Sequence, residues 1–95
     1  MATIYNSDTV VIDDPSVEVL PARPKRSFLA ITNLSATDSA FLSINDVAVA
    51  NEGIVLAPGD VMTREVDEAF NESIHGITTG AAVSLAIEER YEDAV

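Results

Sequence analysis

Cysteine is absent from the 95 residues. That excludes disulfides and thiolate metal sites. Tryptophan is absent as well, and two Tyr and three Phe are all the aromatics. They are too few to line the sugar-stacking cleft that a pair of glycosidase carboxylates needs. The single histidine, His75, has no second imidazole at ligand spacing for a metal. No G-x-S-x-G elbow accompanies it, so it is expected as a strand or turn residue. Positive charge is scarce: 5 Lys and Arg stand against 16 Asp and Glu, for a net charge of -11. Such a field repels a phosphate backbone and argues against nucleic acid as a partner. No run of 18 apolar residues is present to span a membrane as a helix. The stretch Met1–Asp8 has neither the basic nor the apolar region of a signal peptide, so no membrane partner is expected. The four Gly are dispersed rather than gathered in a phosphate-cradling loop. Without a secretory signal, the N-x-S sequons at Asn33 and Asn71 read as chance matches.

The length allows one domain with a small core. It is too short for a two-domain enzyme, a TIM barrel or a full dinucleotide-binding fold. A hydrophobic fraction of 47% is ample for folding. The acid excess has two readings: a hydrated carboxylate surface of the salt-adapted kind, or a charged surface that prevents non-specific association.

What is abundant is β-branched: 11 Val, 8 Ile and 7 Thr. These residues are stiff at χ1 and fit a pleated sheet. In Ser39–Ile44, Ala40, Leu42 and Ile44 share one face. In Ala82–Glu88, Val83, Leu85 and Ile87 do the same. Both alternate as half-buried strands. Arg26–Asn33 is a third, with Leu29 and Ile31 inward and Phe28 outward. It ends in the turn formers 33–39, so 27–32 and 39–44 are expected to pair as a hairpin. Further strands are expected at Thr9–Ile12, Val17–Leu20, Ile54–Leu56, Val61–Val66 and Ser73–Thr78. In Leu56–Asp60, Pro58 and Gly59 suit positions i+1 and i+2 of a type II turn. Asn51-Glu-Gly53 is a second turn. Thr63–Phe70 also has helix-compatible spacing, and an acidic loop or short helical turn is expected across 67–72. With turn signals every 8–12 residues, the fold class is all-β: a single antiparallel β-sandwich, jelly-roll or Ig-like, of about 7–8 short strands.

Three regions follow. Residues 1–25, punctuated by Pro15, Pro21 and Pro24, suit an extended N-terminal arm or edge strand. Residues 26–91 form the sandwich body. Residues 92–95 are an acidic tail, frayed past Tyr91. The acidic groups Asp67, Glu68 and Glu72, and Glu88, Glu89, Glu92 and Asp93, lack the spacing of a Ca²⁺ loop. They read as solvated charged faces, with loose cation binding at a subunit contact as the alternative. No catalytic residue, cofactor or metal site is expected.

Arg23, Lys25 and Arg26 place three of the five positive charges within four residues. They either anchor a partner's acidic patch or pair with this domain's own carboxylates. For partner binding the candidates are these three with the apolar Ile4, Tyr5, Val10, Val11 and Ile12 of the arm. An arm of this kind can add a strand to a neighbour's sheet. Phe28 and Phe41, both outward in the expected hairpin, form either a ligand-binding apolar patch or a second covered core.

Arg26–Ser35, Ala40–Ile44, Gly53–Gly59 and Ala82–Glu88 occur in an order that resembles small β-sandwich virion proteins of tailed bacteriophages and related viruses. Capsid decoration or cement proteins are the nearest kind. The resemblance spans residues 26–88. It implies a non-enzymatic virion structural protein that stabilises the head lattice at the capsid surface. The implied partner is a major capsid protein or another virion protein, and the implied state a homo-oligomer, with a trimer favoured. Alternatives are a tail, neck or fibre component, and a small carbohydrate- or ligand-binding module.

Overall fold

The computed structural model describes residues 2–23, 25–65 and 71–92. Eight strands make up the fold: β1 Thr3–Ile12, β2 Val17–Leu20, β3 Arg26–Asn33, β4 Ala40–Ile44, β5 Ile54–Leu56, β6 Val61–Arg64, β7 Ile74–Ile77 and β8 Val83–Glu92. They form two four-stranded sheets, in the orders β1-β8-β3-β6 and β2-β7-β4-β5. All pairings are antiparallel. This is the all-β sandwich expected, and the strand order is that of a jelly roll rather than an immunoglobulin domain.

The alternation decides which residues meet. Along β8, Val83, Leu85 and Ile87 point inward, opposite Leu29 and Ile31 of β3. Ala40, Leu42, Leu56 and Ile74 close the core from the second sheet. Gly76 lies in β7 facing that core. A Cβ there would sit 3.0 Å from Val19 and 3.2 Å from Ile12, so the β1 and β2 side chains press directly on its backbone.

The expected hairpin of 27–32 with 39–44 does not form. β3 and β4 lie in different sheets, and their inward residues face each other across the sandwich instead of pairing in one plane. Residues 34–39 are an arch between the layers. Asn33, fully buried, fixes that arch. Its Nδ2 donates to the carbonyls of Asp38 and Leu56, both at 2.9 Å, and its Oδ1 accepts from Ser35 N–H at 2.8 Å. The Ala57–Asp60 turn docks on the same residue. Asp60 N–H donates to the Ala57 carbonyl at 2.9 Å, Gly59 takes φ +82°, and Gly59 N–H donates to the Asn33 carbonyl at 3.1 Å. The expected type II turn is therefore present.

Residues 1–25 contribute the edge strand of each sheet: β1 pairs with β8 over ten residues, and β2 with β7. The strand expected to reach Val66 ends at Arg64. Val66, residues 67–70 of the acidic loop expected across 67–72, and 93–95 of the tail lie outside the described residues.

Candidate assembly interface

The outer faces of the two sheets differ. Over the second sheet, residues 45–53 fold back and bury Ala48 against Phe41 and Ile77. Ala48 N–H donates to Ser16 Oγ at 3.0 Å. Phe41 is thus in a second, small core. Of the two readings given to the Phe28–Phe41 pair, covering holds for Phe41, and Phe28 lies on the opposite side of the molecule.

The outer face of the first sheet has no such cover among the described residues. Tyr5 is 72% exposed, Val11 59% and Val61 57%. Between them lies an open trough of about 500 Å³ floored by Ala30, Thr32 and Ala86 and flanked by Ser7, Thr9 and Glu88. Cross-strand registers set its rows. Tyr5, Arg90 and Phe28 form one row; Ser7, Glu88, Ala30 and Thr63 form the next. Arg90 holds its place by donating from Nε to Ser27 Oγ at 2.9 Å, with its guanidinium 5.9 Å from the Phe28 ring centre. Ser7 Oγ donates to Glu88.

β1 and β6 are the edges of this sheet, β2 and β5 those of the other. On β1, Thr9 N–H donates to its neighbour Asp8 Oδ1 at 2.8 Å and so points away from β8. By the two-residue period of a strand, the backbone groups of Tyr5, Ser7 and Val11 share that outward edge. Asp8 occupies one of its donors, a way of making an edge less adhesive.

The eight candidate contact residues do not form one surface. Tyr5 and Val11 stand on the uncovered face. Ile4 and Val10 are half-buried on the inner side of β1, and Ile12 is in the core. Lys25 is exposed, in a turn at φ +67°. Arg26 and Arg23 turn inward to Glu89, whose side chain is fully buried. Arg26 Nε lies 3.0 Å from Oε2, and Arg23 Nε 3.4 Å from Oε1. Asn6 Nδ2 donates to Oε1 at 3.0 Å. Arg26 also donates to the carbonyls of Glu72 and Pro21, at 3.2 and 2.8 Å. Arg23 stacks 4.4 Å above the Tyr91 ring. For Arg23 and Arg26 the internal role holds. Glu89, expected on a solvated face, instead continues the inward series 83, 85, 87. That parity was readable; its partners, far away in sequence, were not.

His75 lies on the outer side of β7, its Nε2 3.1 Å from Ser73 Oγ. Among the described residues no three of His, Asp and Glu come together to hold a metal ion.

No protein-family model matches the chain, and no curated protein matches it. Among solved structures, a chain from the Bacillus endospore appendages, described as a novel family of disulfide-linked pili, matches with a TM-score of 0.54. Identity is 15%, and the match covers 94% of this chain and 87% of that one. The likeness is one of fold.

It overturns the reading as a virion protein. The structural counterpart is a bacterial appendage chain, not a capsid decoration protein or a tail, neck or fibre part. The major capsid protein as partner and the capsid surface as location fall with that reading. The physical reason is plain in the fold. Most of the residues that carried the resemblance do no more than build the fold, among them Leu29, Ile31 and Asn33, Pro58 and Gly59, and Val83, Leu85 and Ile87. They are the inward positions and one turn of a jelly roll, which unrelated sandwiches share. The ligand-binding alternative loses two aromatics: Phe41 is buried and Tyr91 lies under Arg23, leaving Tyr5 and Phe28 among the described residues, with Phe70 outside them.

Proposed function

We propose that the chain is a non-catalytic structural subunit that polymerises with copies of itself into a bacterial surface filament. The observation that carries this reading is the open ten-residue edge of β1, where the backbone groups of Tyr5, Ser7 and Val11 face outward with no strand paired to them among the described residues. A strand from a second copy can complete that ladder, and the side chains at alternate positions then select the partner. When the added strand is any other than β1 of the next copy, such a contact joins unlike surfaces, and contacts of that kind extend into filaments unless the rotation closes a ring. The similarity to an appendage pilus chain supports the same reading.

One difference from that counterpart follows from composition. With no Cys in the chain, the polymer is held without disulfides. Copies of net charge -11 also repel one another. Assembly is expected to grow as salt shortens the screening length, to about 8 Å at 0.15 M.

Negative-stain microscopy and sedimentation velocity of the purified chain test the proposal. Polymers are expected that rise with protein and salt concentration and survive reducing agent. Val11→Pro removes an edge donor that the fold itself does not use. It should leave the far-UV circular dichroism unchanged and abolish long polymers. A chain that stays monomeric under all these conditions, or a folded V11P that polymerises like the parent, refutes the reading.

A further inference from the structure

We infer that the uncovered face of the first sheet is a second contact between copies of this chain, made face to face about a twofold axis. It is separate from strand addition, because it uses side chains on the face and none of the backbone groups along the edges.

The inference rests on how two adjacent rows complement each other. The row at β8 position 90 is large and cationic: Tyr5, Arg90, Phe28. The row at position 88 is small and anionic: Ser7, Glu88, Ala30. Place a twofold axis in the plane of contact, across the strands and midway between the two rows. Each strand then faces its own copy, running the other way. Tyr5 falls over Ser7 of the second copy, Phe28 over Ala30, and Arg90 over Glu88, and the symmetry repeats all three contacts. In each of the three columns a large side chain meets a small one or a cation meets an anion.

The second copy is the occupant because the complement is already on the face. An unrelated partner would have to supply both the acid and the trough. The alternation of Glu88 and Arg90 on one strand makes the patch self-complementary under twofold rotation, as an isologous contact requires. Tyr5, 72% exposed, gains an aromatic-sized recess without either backbone moving. On the other sheet, residues 45–53 cover Phe41 and Ile77.

Size limits the strength. Strands about 4.8 Å apart, with roughly seven residues of shared length at about 3.4 Å each, give β1, β8 and β3 an overlap of roughly 350 Å² per copy; β6 ends at Arg64, level with the axis, and adds little. About 700 Å² in total marks a weak contact. The isolated pair is therefore expected at protein concentrations on the order of 100 μM. In a polymer, neighbours already held close would engage it through effective concentration.

Charge reversal tests it, in the full chain and again in the V11P background so that strand addition and face pairing fail separately. By sedimentation equilibrium the V11P chain should dimerise. Glu88→Arg places cations opposite cations, and Arg90→Glu places acids opposite acids. Each alone should weaken the dimer at least about tenfold. Mixing E88R with R90E restores both pairs across a heterodimer, as does the double variant E88R/R90E across its own homodimer. Ala30→Trp fills the recess for Phe28 and should abolish pairing whatever the charges. A parent that stays monomeric to millimolar concentration overturns the inference. So do single variants that dimerise like the parent, or a mixture no better than its components.

Discussion

Glu89 offers the sharpest test of what holds the fold at the end away from the Asn33 arch. Its side chain and that of Arg26 are both fully buried, 3.0 Å apart. Removing one member of such a pair costs about 3–5 kcal/mol, because the other charge stays behind without its counter-ion. A domain of this size has roughly 5–14 kcal/mol to lose. The geometry makes the two single deletions unequal. In Glu89→Leu, Arg26 loses the carboxylate at 3.0 Å, and the carbonyls of Pro21 and Glu72 that it keeps carry no counter-charge, so a loss of about 3–5 kcal/mol is expected. In Arg26→Met, Glu89 keeps Arg23 at 3.4 Å and the Asn6 amide at 3.0 Å, so the loss is smaller, about 1–3 kcal/mol. The double variant R26M/E89L buries no charge and should be more stable than E89L alone. With no Trp, urea unfolding is followed by far-UV circular dichroism, and the midpoints are compared at constant m. For a chain this long, E89L should melt roughly 12–40 °C below the parent. If E89L is no less stable than R26M, or if the double variant loses the sum of both singles, the two charges are not coupled and the reasoning fails.

Two further predictions concern the loops. Asn33→Ala removes three buried hydrogen bonds and should cost about 2–3 kcal/mol, with amide exchange rising first in residues 34–39. Gly53 and Gly59 both sit at positive φ, +80° and +82°, but a Cβ at Gly53 would lie 2.5 Å from the Leu42 carbonyl oxygen while one at Gly59 meets open space. Gly59→Ala should therefore cost only the backbone term, about 1 kcal/mol, and Gly53→Ala clearly more; equal melting temperatures would contradict this.

The parity of the apolar residues made the strands legible, and hence the two-sheet class. Val17–Leu20 and Ile54–Leu56 have the bounds expected for them. What alternation cannot carry is which sheet a strand joins. An arch and a hairpin both follow an apolar strand with turn formers, and only the burial of Asn33 separates them. The same limit acted on the charges. Arg23, Arg26 and Glu89 are ordinary surface residues in composition, and they became internal because β3 and β8 start and end at the same edge of the core. On the outward positions, local pattern misled in the other direction. Tyr5 and Phe28 stand out one at a time as candidate contacts and Glu88 reads as part of a solvated face, but nothing in a single strand shows that the rows at 88 and 90 are each other's complement. That relation exists only when three strands are in register and a symmetry operation is applied. A contact of this kind leaves no motif behind, so a subunit can carry its assembly rules in residues that composition marks as solvent-facing. The consequence for β1 is specific. Asp8 makes the edge less adhesive, and the -11 charge opposes every approach. The proposed polymerisation would therefore depend on contacts that are individually weak, and it is expected to be switched by salt and concentration rather than locked by covalent bonds.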